Sequence, residues 1–228
     1  MAYSEASEGL FDISIGAVSS LWDFAQATKP TDEDLQEALT HVNYRNISVD
    51  GTTVTLADPA MKLDLGGIAK GYIADDLAAY FTSQGCESAL INLGGNVYAL
   101  GNQPDGTPWT VGIENPGVED AVIGTVETEN KSTVASGMYE QQFELDGVTY
   151  HHILDPNTGY PAETDLESVS VVSDKSIDGD CWATILFLMG SDKALTVLND
   201  RDDLSGLIIK RTGETCASQD SAIVPIEA

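Results

Sequence analysis

The sequence predicts an α+β fold, a single compact domain over residues 1–228 with mixed, largely antiparallel sheets and flanking helices. Candidate strands come in neighbouring pairs around turn signals such as Asp50-Gly51 and Asp146-Gly147. Candidate helices fall between these pairs, so the pattern differs from the regular alternation of βαβ units. At 228 residues, the chain is long enough to bury a substantial core without disulfide bonds.

The predicted elements follow from apolar periodicity and from turn residues. Apolar residues at three- and four-residue spacings predict the helices, with Thr31 as an N-cap and Gly85 as a helix end. β-branched and aromatic residues between turns predict the strands. In chain order the elements are a helix over 7–24, a helix over 31–41, a hairpin over 46–56, a helix over 68–84, strands over 88–93, 96–101 and 109–114, paired strands over 139–145 and 148–154, a strand over 168–173, helices over 178–189 and 193–199, and a strand over 204–210.

The chain is strongly acidic, with 10 Lys plus Arg against 37 Asp plus Glu and a formal net charge of −27. This charge repels phosphate backbones and anionic lipid, which disfavours nucleic-acid and membrane-surface binding. No apolar run reaches the roughly 20 residues of a membrane span, and the first residues lack the basic and apolar regions of a secretory signal. We therefore expect no nucleic-acid partner, no membrane insertion by this chain and no signal segment.

A polar segment over 134–184 holds more reactive side chains than a plain core requires. His152 could accept a proton from an attacking hydroxyl, or it could be a structural histidine, and His151 points to the opposite side of an extended strand. Asp155 begins an Asp-Pro-Asn-Thr-Gly turn, so its side chain could bond the local backbone, contact a ligand, or do both.

Asp180 and Thr184 are separated by four residues and therefore share one face of the predicted helix. Their carboxylate and hydroxyl oxygens are the hard ligands that Mg²⁺ accepts, with water and phosphate completing its shell. From spacing alone, an aspartate that caps the helix near a buried threonine is the more common explanation. The pair is nonetheless a candidate magnesium site.

The stretch Leu63-Asp-Leu-Gly-Gly-Ile-Ala-Lys70 indicates a short strand, a Gly-Gly turn and the start of a helix. Unpaired N–H groups at a helix N-terminus suit a phosphate, and Lys70 adds positive charge. Alternatively, Gly66 and Gly67 serve a tight turn and Lys70 is a solvated lysine. An anionic ligand in so acidic a chain would require basic groups or a divalent cation to offset the surrounding field.

Taken together, these motifs resemble the family of FAD:protein FMN transferases, the ApbE family. The similarity runs along nearly the whole chain, in the family's order, through Ser7-Glu-Gly-Leu-Phe-Asp12, Leu21-Trp-Asp-Phe24, Asp64-Leu-Gly-Gly-Ile-Ala-Lys-Gly-Tyr72, Asn92-Leu-Gly-Gly95, Ser136-Gly137, His152-Ile-Leu-Asp-Pro-Asn-Thr-Gly159 and Asp180-x-x-x-Thr184. The resemblance begins only at Ser7, so we expect the chain to be N-terminally short relative to the family.

The resemblance implies a Mg²⁺-dependent transferase that moves FMN from its substrate FAD to a threonine hydroxyl of an acceptor redox protein and releases AMP. It implies catalytic roles for His152 and Asp180, and metal binding by Asp180, Thr184 and the backbone carbonyl of Gly67. Many relatives carry a further acidic residue where this chain has Ala183, which implies a metal site of lower charge. The implied flavin contacts are Leu10, Phe11, Asp12, Asp64, Lys70, the backbone near Leu154, and Asp155.

Alternatives stay open for individual residues and for the whole chain. Phe11 could be a core aromatic, and Asp64 could simply close a turn. Water in place of the threonine would make the chain an FAD pyrophosphatase that yields FMN and AMP. A non-catalytic flavin-binding remnant would follow if the short N-terminal part or Ala183 removed turnover. The sequence leaves the location unknown, while the resemblance implies a periplasmic or other extracytoplasmic one, with a lipid anchor in longer forms.

Overall fold

The computed structural model describes residues 1–116, 118 and 121–226. Residue contacts divide the chain into unit 1, which comprises 1–65 and 138–163, and unit 2, which comprises 66–137 and 164–228. Both units combine helices with antiparallel strand pairs, which confirms the predicted α+β class. Within the described ranges, no helix has both the length and the apolar character that a membrane span requires.

The secondary structure alternates short helices with paired strands. In chain order the helices are α1 (Ala2–Ala6), α2 (Gly16–Ser19), α3 (Asp32–Leu39), α4 (Ala69–Ser83), α5 (Ser176–Met189) and α6 (Ser191–Asn199). The strands are β1 (Ile47–Asp50), β2 (Thr53–Leu56), β3 (Ala89–Leu93), β4 (Asn96–Leu100), β5 (Trp109–Glu114), β6 (Val122–Thr128), β7 (Lys131–Gly137), β8 (Gln142–Leu145), β9 (Val148–His151), β10 (Leu166–Ser173), β11 (Leu204–Lys210), β12 (Thr215–Ala217) and β13 (Ile223–Pro225).

Unit 1 is organised around Trp22, which is buried as its apolar sequence context predicts. The indole Nε1 donates a hydrogen bond to the carbonyl of Gly159 at 3.0 Å, so the N-terminal segment is tied to the turn after β9. The rings of Phe24 and Phe143 lie 5.9 and 6.4 Å from the Trp22 ring. Thr31 caps α3 as predicted, because its hydroxyl accepts a hydrogen bond from the Asp34 N–H.

The predicted helix over 7–24 is wrong, since only α2 is helical within that segment besides turns. Glu8 and Gly9 have φ angles of 54° and 91°, a left-handed pair that ends α1 and the turn after it. Asp12 then accepts hydrogen bonds from the Ser14 N–H and hydroxyl, which offers the backbone an alternative to helix. The apolar residues over 7–24 do form a buried face, as their spacing predicts. The backbone conformation of the segment is set instead by local hydrogen bonds such as those of Asp12.

Unit 2 is built on a six-stranded antiparallel sheet in the order β12-β11-β10-β7-β4-β3. Helix α4 packs on β3 and β4, α5 packs on β7 and β10, and α6 packs on β11. Val172, Leu207 and Ile209 pack instead with a three-stranded sheet in the order β13-β6-β5. Because side chains alternate between the faces of a strand, the large sheet lies between the helices and the small sheet.

The sequence prediction missed β6 and β7 of unit 2. Strand β7 is central to the large sheet, yet it consists largely of small and hydroxyl residues and gives no apolar alternation. Helix α5 approaches β7 closely at Gly179, where a Cβ would lie 3.0 Å from Val134 Cγ2. Every pairing between the named strands is antiparallel, and the parallel contact found in the described part is the isolated bridge Ile15–Lys62. The mixed character expected of the sheets is therefore confined to that bridge.

The start of α6 gives a first testable prediction. Its N-cap Gly190 has no side chain to offer, and the Asp165 carboxylate instead accepts the Ser191 N–H at 3.0 Å and the Ser191 hydroxyl. The Asp165→Ala variant should lose about 1 kcal/mol in the free energy of unfolding, measured in urea at pH 7.

The hydrogen bonds from Ser191 hold the pKa of Asp165 below its usual value. A lowered pKa contributes stability that is present above the unfolded pKa and is lost as the pH falls through the folded pKa. The difference between wild type and Asp165→Ala should therefore shrink as the pH falls below about 4, the ordinary pKa of an aspartate. A difference that stayed constant with pH would show that the carboxylate charge does not cap the helix.

Candidate functional site

In unit 2 the first turn of α4 meets α5 near its N-terminus, at the Asp180 carboxylate. Asp180 is 3% exposed, and its Oδ2 accepts a hydrogen bond from the Gly71 N–H at 2.8 Å. Gly71 stands in the first turn of α4, where backbone N–H groups have no partner within the helix. The carboxylate therefore receives the positive end of the α4 dipole.

Burial raises the pKa of Asp180, because desolvation penalises the charged form. The Gly71 N–H, the Lys70 ammonium and the Asn96 side chain act in the opposite direction and favour the carboxylate. Burial outweighs these contributions in the protein alone. A further positive charge beside this buried carboxylate would therefore stabilise its ionised form.

Thr184 lies one turn further along α5, as its spacing predicts. Its hydroxyl is 3.4 Å from the Ser136 hydroxyl of β7 and 3.4 Å from the Asp180 carbonyl oxygen, at the long end of hydrogen bonding. The hydroxyl is thus weakly engaged and available to another partner. Ala183 is completely buried, so α5 offers no second carboxylate at that position.

The Lys70 ammonium lies on the same side of unit 2 as Asp180. Its Nζ is 3.5 Å from the carbonyl of Gly94, in the turn between β3 and β4. Gly94 and Gly95 both have positive φ angles, 59° and 86°, which few other residues adopt without strain. The structure thus brings the Asn92-Leu-Gly-Gly95 turn, the α4 N-terminus and Asp180 together. Gly67 lies in the turn directly before α4.

These residues fit a magnesium ion by the chemistry of their donor set. Asp180 offers a carboxylate oxygen, Thr184 a hydroxyl, and Gly67 a backbone carbonyl, all hard oxygen donors. In the described part of the chain, no group of three or more His, Cys, Asp or Glu residues could hold a metal. A site with one carboxylate suits Mg²⁺, which keeps several waters and shares substrate phosphate oxygens.

Sequence reasoning did not identify three residues that contribute to the contact between α4 and α5. Gly71 supplies the N–H donor, Asn96 approaches the carboxylate from β4, and Asp75 caps the start of α5. Asn96 is completely buried and its Oδ1 accepts the Ser176 hydroxyl at 2.6 Å. All three stand inside or beside the glycine motifs. A polar residue next to a glycine turn was the sequence feature that could have identified Asn96 and Asp75.

In unit 1, the predicted flavin residues Leu10, Phe11 and Asp12 lie in the turns before α2. Phe11 is 7% exposed, and its ring meets Tyr3 edge to face at 6.4 Å, as the core alternative expects. The Asp12 carboxylate accepts the Ser14 N–H at 2.8 Å, the Ser14 hydroxyl, and the Tyr44 N–H at 2.9 Å. Leu10 is partly exposed. The observed contacts of Phe11 and Asp12 are structural, and their flavin contacts stay predictions.

Asp64 joins the segment before α4 to α2 within unit 1. Its Oδ2 accepts the Ser19 hydroxyl at 2.5 Å, and its N–H donates to the Ile13 carbonyl at 2.7 Å. The carboxylate is partly exposed. Asp64 therefore has a local structural role, as the turn alternative expects. A role in ligand binding stays a prediction.

The two neighbouring histidines divide as the strand alternation predicts. His151 is 2% exposed, and its Nε2 lies 3.2 Å from the Ala162 carbonyl oxygen. His152 follows the end of β9, is partly exposed, and donates its backbone N–H to the Gln141 carbonyl. His151 is the structural histidine of the pair. His152 is the more exposed residue of the pair, and its catalytic role stays a prediction.

Leu154 and Asp155 form the turn that follows. The Leu154 side chain is buried in the core around Trp22, and Leu154 pairs with Pro161 in an isolated bridge. Asp155 Oδ1 accepts hydrogen bonds from the Asn157 N–H at 2.8 Å and the Asn157 side-chain amide at 2.9 Å. The turn interpretation of Asp155 is therefore correct, and its contact with a ligand stays a prediction.

Comparisons with known proteins show which family the chain belongs to. The chain is 40% identical over 222 residues to an FAD:protein FMN transferase of Klebsiella pneumoniae, covering 95% of this chain and 68% of the relative. It is 39% identical over 227 residues to one of Treponema pallidum, covering 91% of this chain and 62% of the relative. The chain thus spans about two thirds of the length of these relatives.

Solved structures show the same similarity in three dimensions. The ApbE protein of Thermotoga maritima matches with a TM-score of 0.87 and 32% identity, over 96% of this chain and 72% of that one. The flavin transferase ApbE of Vibrio cholerae matches with a TM-score of 0.83 and 30% identity, over the same shares of the two chains. The sequence model of the ApbE family matches residues 1–208, a range that includes residues of both units. With the glycine turns, Lys70, Asp180 and Thr184 arranged as described, the chain belongs to the ApbE family.

Proposed function

We propose that this chain transfers FMN from FAD to a threonine hydroxyl of an acceptor redox protein, with magnesium held by Asp180, Thr184 and the Gly67 carbonyl. The observation that carries the proposal is the buried Asp180 carboxylate, placed at the α4 N-terminus beside Lys70. The relatives named FAD:protein FMN transferases support the reaction.

The reaction joins the acceptor oxygen to the FMN-side phosphorus of FAD and breaks that phosphorus's bond to the bridging oxygen. AMP leaves with the bridging oxygen, and the acceptor hydroxyl loses its proton. Negative charge builds on the pyrophosphate as the bond breaks, so catalysis depends mainly on positioning and charge stabilisation.

Residues of α4 and α5 supply that charge stabilisation. The Lys70 ammonium can pair with a phosphate oxygen, and the first N–H groups of α4 favour negative charge nearby. Asp180 is oriented by the Gly71 N–H, and Thr184 presents its hydroxyl from the same helix. Magnesium, when bound, would neutralise charge on the pyrophosphate as a Lewis acid.

The test combines the chain with FAD, Mg²⁺ and a bacterial redox subunit that bears a flavinylation threonine. We expect covalent flavin fluorescence on the acceptor in a denaturing gel, together with stoichiometric AMP. A chelator should abolish both signals and weaken FAD binding, because the acidic chain would then repel the dinucleotide. An acceptor whose threonine is replaced by valine is the matched control and should stay unlabelled.

Other outcomes would assign a different function. AMP and free FMN without any labelled acceptor would identify an FAD pyrophosphatase. FAD binding in calorimetry without AMP release would identify a flavin-binding remnant. FAD affinity that is equal with and without chelator would refute the proposed metal. The extracytoplasmic location implied by the family is part of this proposal, and fractionation of producing cells would test it.

A further inference from the structure

Helices α4 and α5 each use a carboxylate from the other helix to cap their N-terminus. Asp75 of α4 accepts the Ser176 N–H on Oδ1 at 2.7 Å and the Ile177 N–H on Oδ2 at 3.0 Å. In return, Asp180 of α5 accepts the Gly71 N–H of α4 at 2.8 Å. Two carboxylates thus link the same pair of helices in opposite directions.

Neither helix caps itself. The residue before α4 is Ile68 and the residue before α5 is Lys175, and neither makes a side-chain capping bond. The first N–H groups of a helix need partners when they are buried. Ser176 is completely buried, so Asp75 satisfies a backbone donor that water does not readily reach.

This reciprocal capping sets the position of α5 along α4. Asp75 binds two successive N–H groups, so it holds the end of α5 against both sliding and rotation. The helices approach closely at this point, because a Cβ on Gly71 would lie 2.4 Å from the Ser176 carbonyl oxygen. Asp180 and Thr184 follow Ser176 on the same rigid helix, so their placement beside Lys70 depends on where the α5 N-terminus is held.

A direct metal-binding role for Asp75 does not fit these contacts. Both of its carboxylate oxygens already accept backbone hydrogen bonds. Asp75 acts on the site through the helix that it caps.

We propose that Asp75 is a positioning residue for the Asp180–Thr184 pair. By holding the N-terminus of α5 against α4, it places the Asp180 carboxylate on the Gly71 N–H and both side chains toward the metal position. The metal part of this inference rests on the proposed function, whereas the placement of Asp180 does not.

Asp165 provides the matched control. It caps α6 in the same unit through the Ser191 N–H and hydroxyl, and it makes no contact with α4 or with Asp180 in the described hydrogen bonds. Asp75→Ala and Asp165→Ala should therefore lower Tm by similar amounts, about 2–4 °C. Asp75→Asn retains one acceptor oxygen and serves if the alanine variant does not fold.

Two readouts separate positioning from general stability. The first is hydrogen exchange of the Gly71 amide in the metal-free protein, which reports whether Asp180 stays on that N–H. Relative to Asp165→Ala, we expect about tenfold faster exchange in Asp75→Ala and an intermediate increase in Asp75→Asn. The second is the dissociation constant of Mn²⁺, measured by water-proton relaxation, which should rise about tenfold in Asp75→Ala and stay within about twofold in Asp165→Ala.

Gly71 exchange in Asp75→Ala equal to that in Asp165→Ala would overturn the inference and make Asp75 an ordinary helix cap. An unchanged Mn²⁺ dissociation constant in Asp75→Ala would likewise overturn its role toward the metal. If the wild-type chain bound no Mn²⁺, the proposed metal site would be wrong, while Gly71 exchange would still decide whether Asp75 positions Asp180.

Discussion

The Asp180→Asn variant is expected to lose FMN transfer by a factor on the order of 10²–10³ while remaining folded. Asparagine retains an acceptor oxygen for the Gly71 N–H but removes the charge that would hold a dication beside the pyrophosphate. Since burial raises the pKa of Asp180, the charged carboxylate is costly in the protein alone. The free energy of unfolding should therefore stay unchanged or rise by up to about 1 kcal/mol.

The measurement pairs initial rates of AMP release with urea unfolding of the same preparations. Asp192→Asn, at an exposed position of α6, is the matched control for loss of one carboxylate charge and should retain full activity. Wild-type rates in Asp180→Asn would refute the role of this carboxylate. Loss of activity together with loss of folding would place Asp180 among purely structural residues instead.

The second large effect is expected for Gly71→Ala, which should destabilise the protein by about 2–3 kcal/mol. The new Cβ would lie 2.4 Å from the Ser176 carbonyl oxygen and 2.6 Å from Ile177 Cα, both backbone atoms at the start of α5. Alanine gains about 1 kcal/mol over glycine in helix propensity, so the predicted overlap must exceed that gain.

Urea unfolding at pH 7 tests this expectation, with an unchanged m-value showing that the native state is still compact. Ala79→Gly, at an exposed position of α4, measures the propensity contribution alone in the same helix. A Gly71→Ala variant as stable as wild type would show that α4 and α5 do not approach as closely as described. Transfer activity should fall in parallel, because separating the helices removes the Gly71 N–H from Asp180.

The two variants probe different properties of one structural feature. Asp180→Asn changes charge while preserving shape, and Gly71→Ala changes shape while preserving charge. Loss of activity in both, with loss of stability only in Gly71→Ala, is the pattern expected if a closely packed pair of helices supports a buried, charged ligand group.

Local patterns were sufficient for many elements. Helix α4 was predicted by its amphipathic spacing and by Gly85, and the β8–β9 hairpin by Asp146-Gly147, because these signals depend on neighbours in the chain. The helix over 7–24 failed because Asp12 bonds to Ser14 and to Tyr44, and the second of these contacts requires the fold. Strand β7 was missed because its small and hydroxyl residues give no apolar alternation, and its place beneath α5 is set by the fold.

The site divides in the same way. The sequence by itself determined that Asp180 and Thr184 share a helix face and that Lys70 opens α4 after a glycine turn, since helical periodicity and turn chemistry are local. Only the tertiary structure decided that Asp180 is buried on the Gly71 N–H and that Asp75 caps α5 in return. Those contacts join residues far apart in the chain, and they form because two uncapped helix ends must find their hydrogen-bond partners in the packed interior.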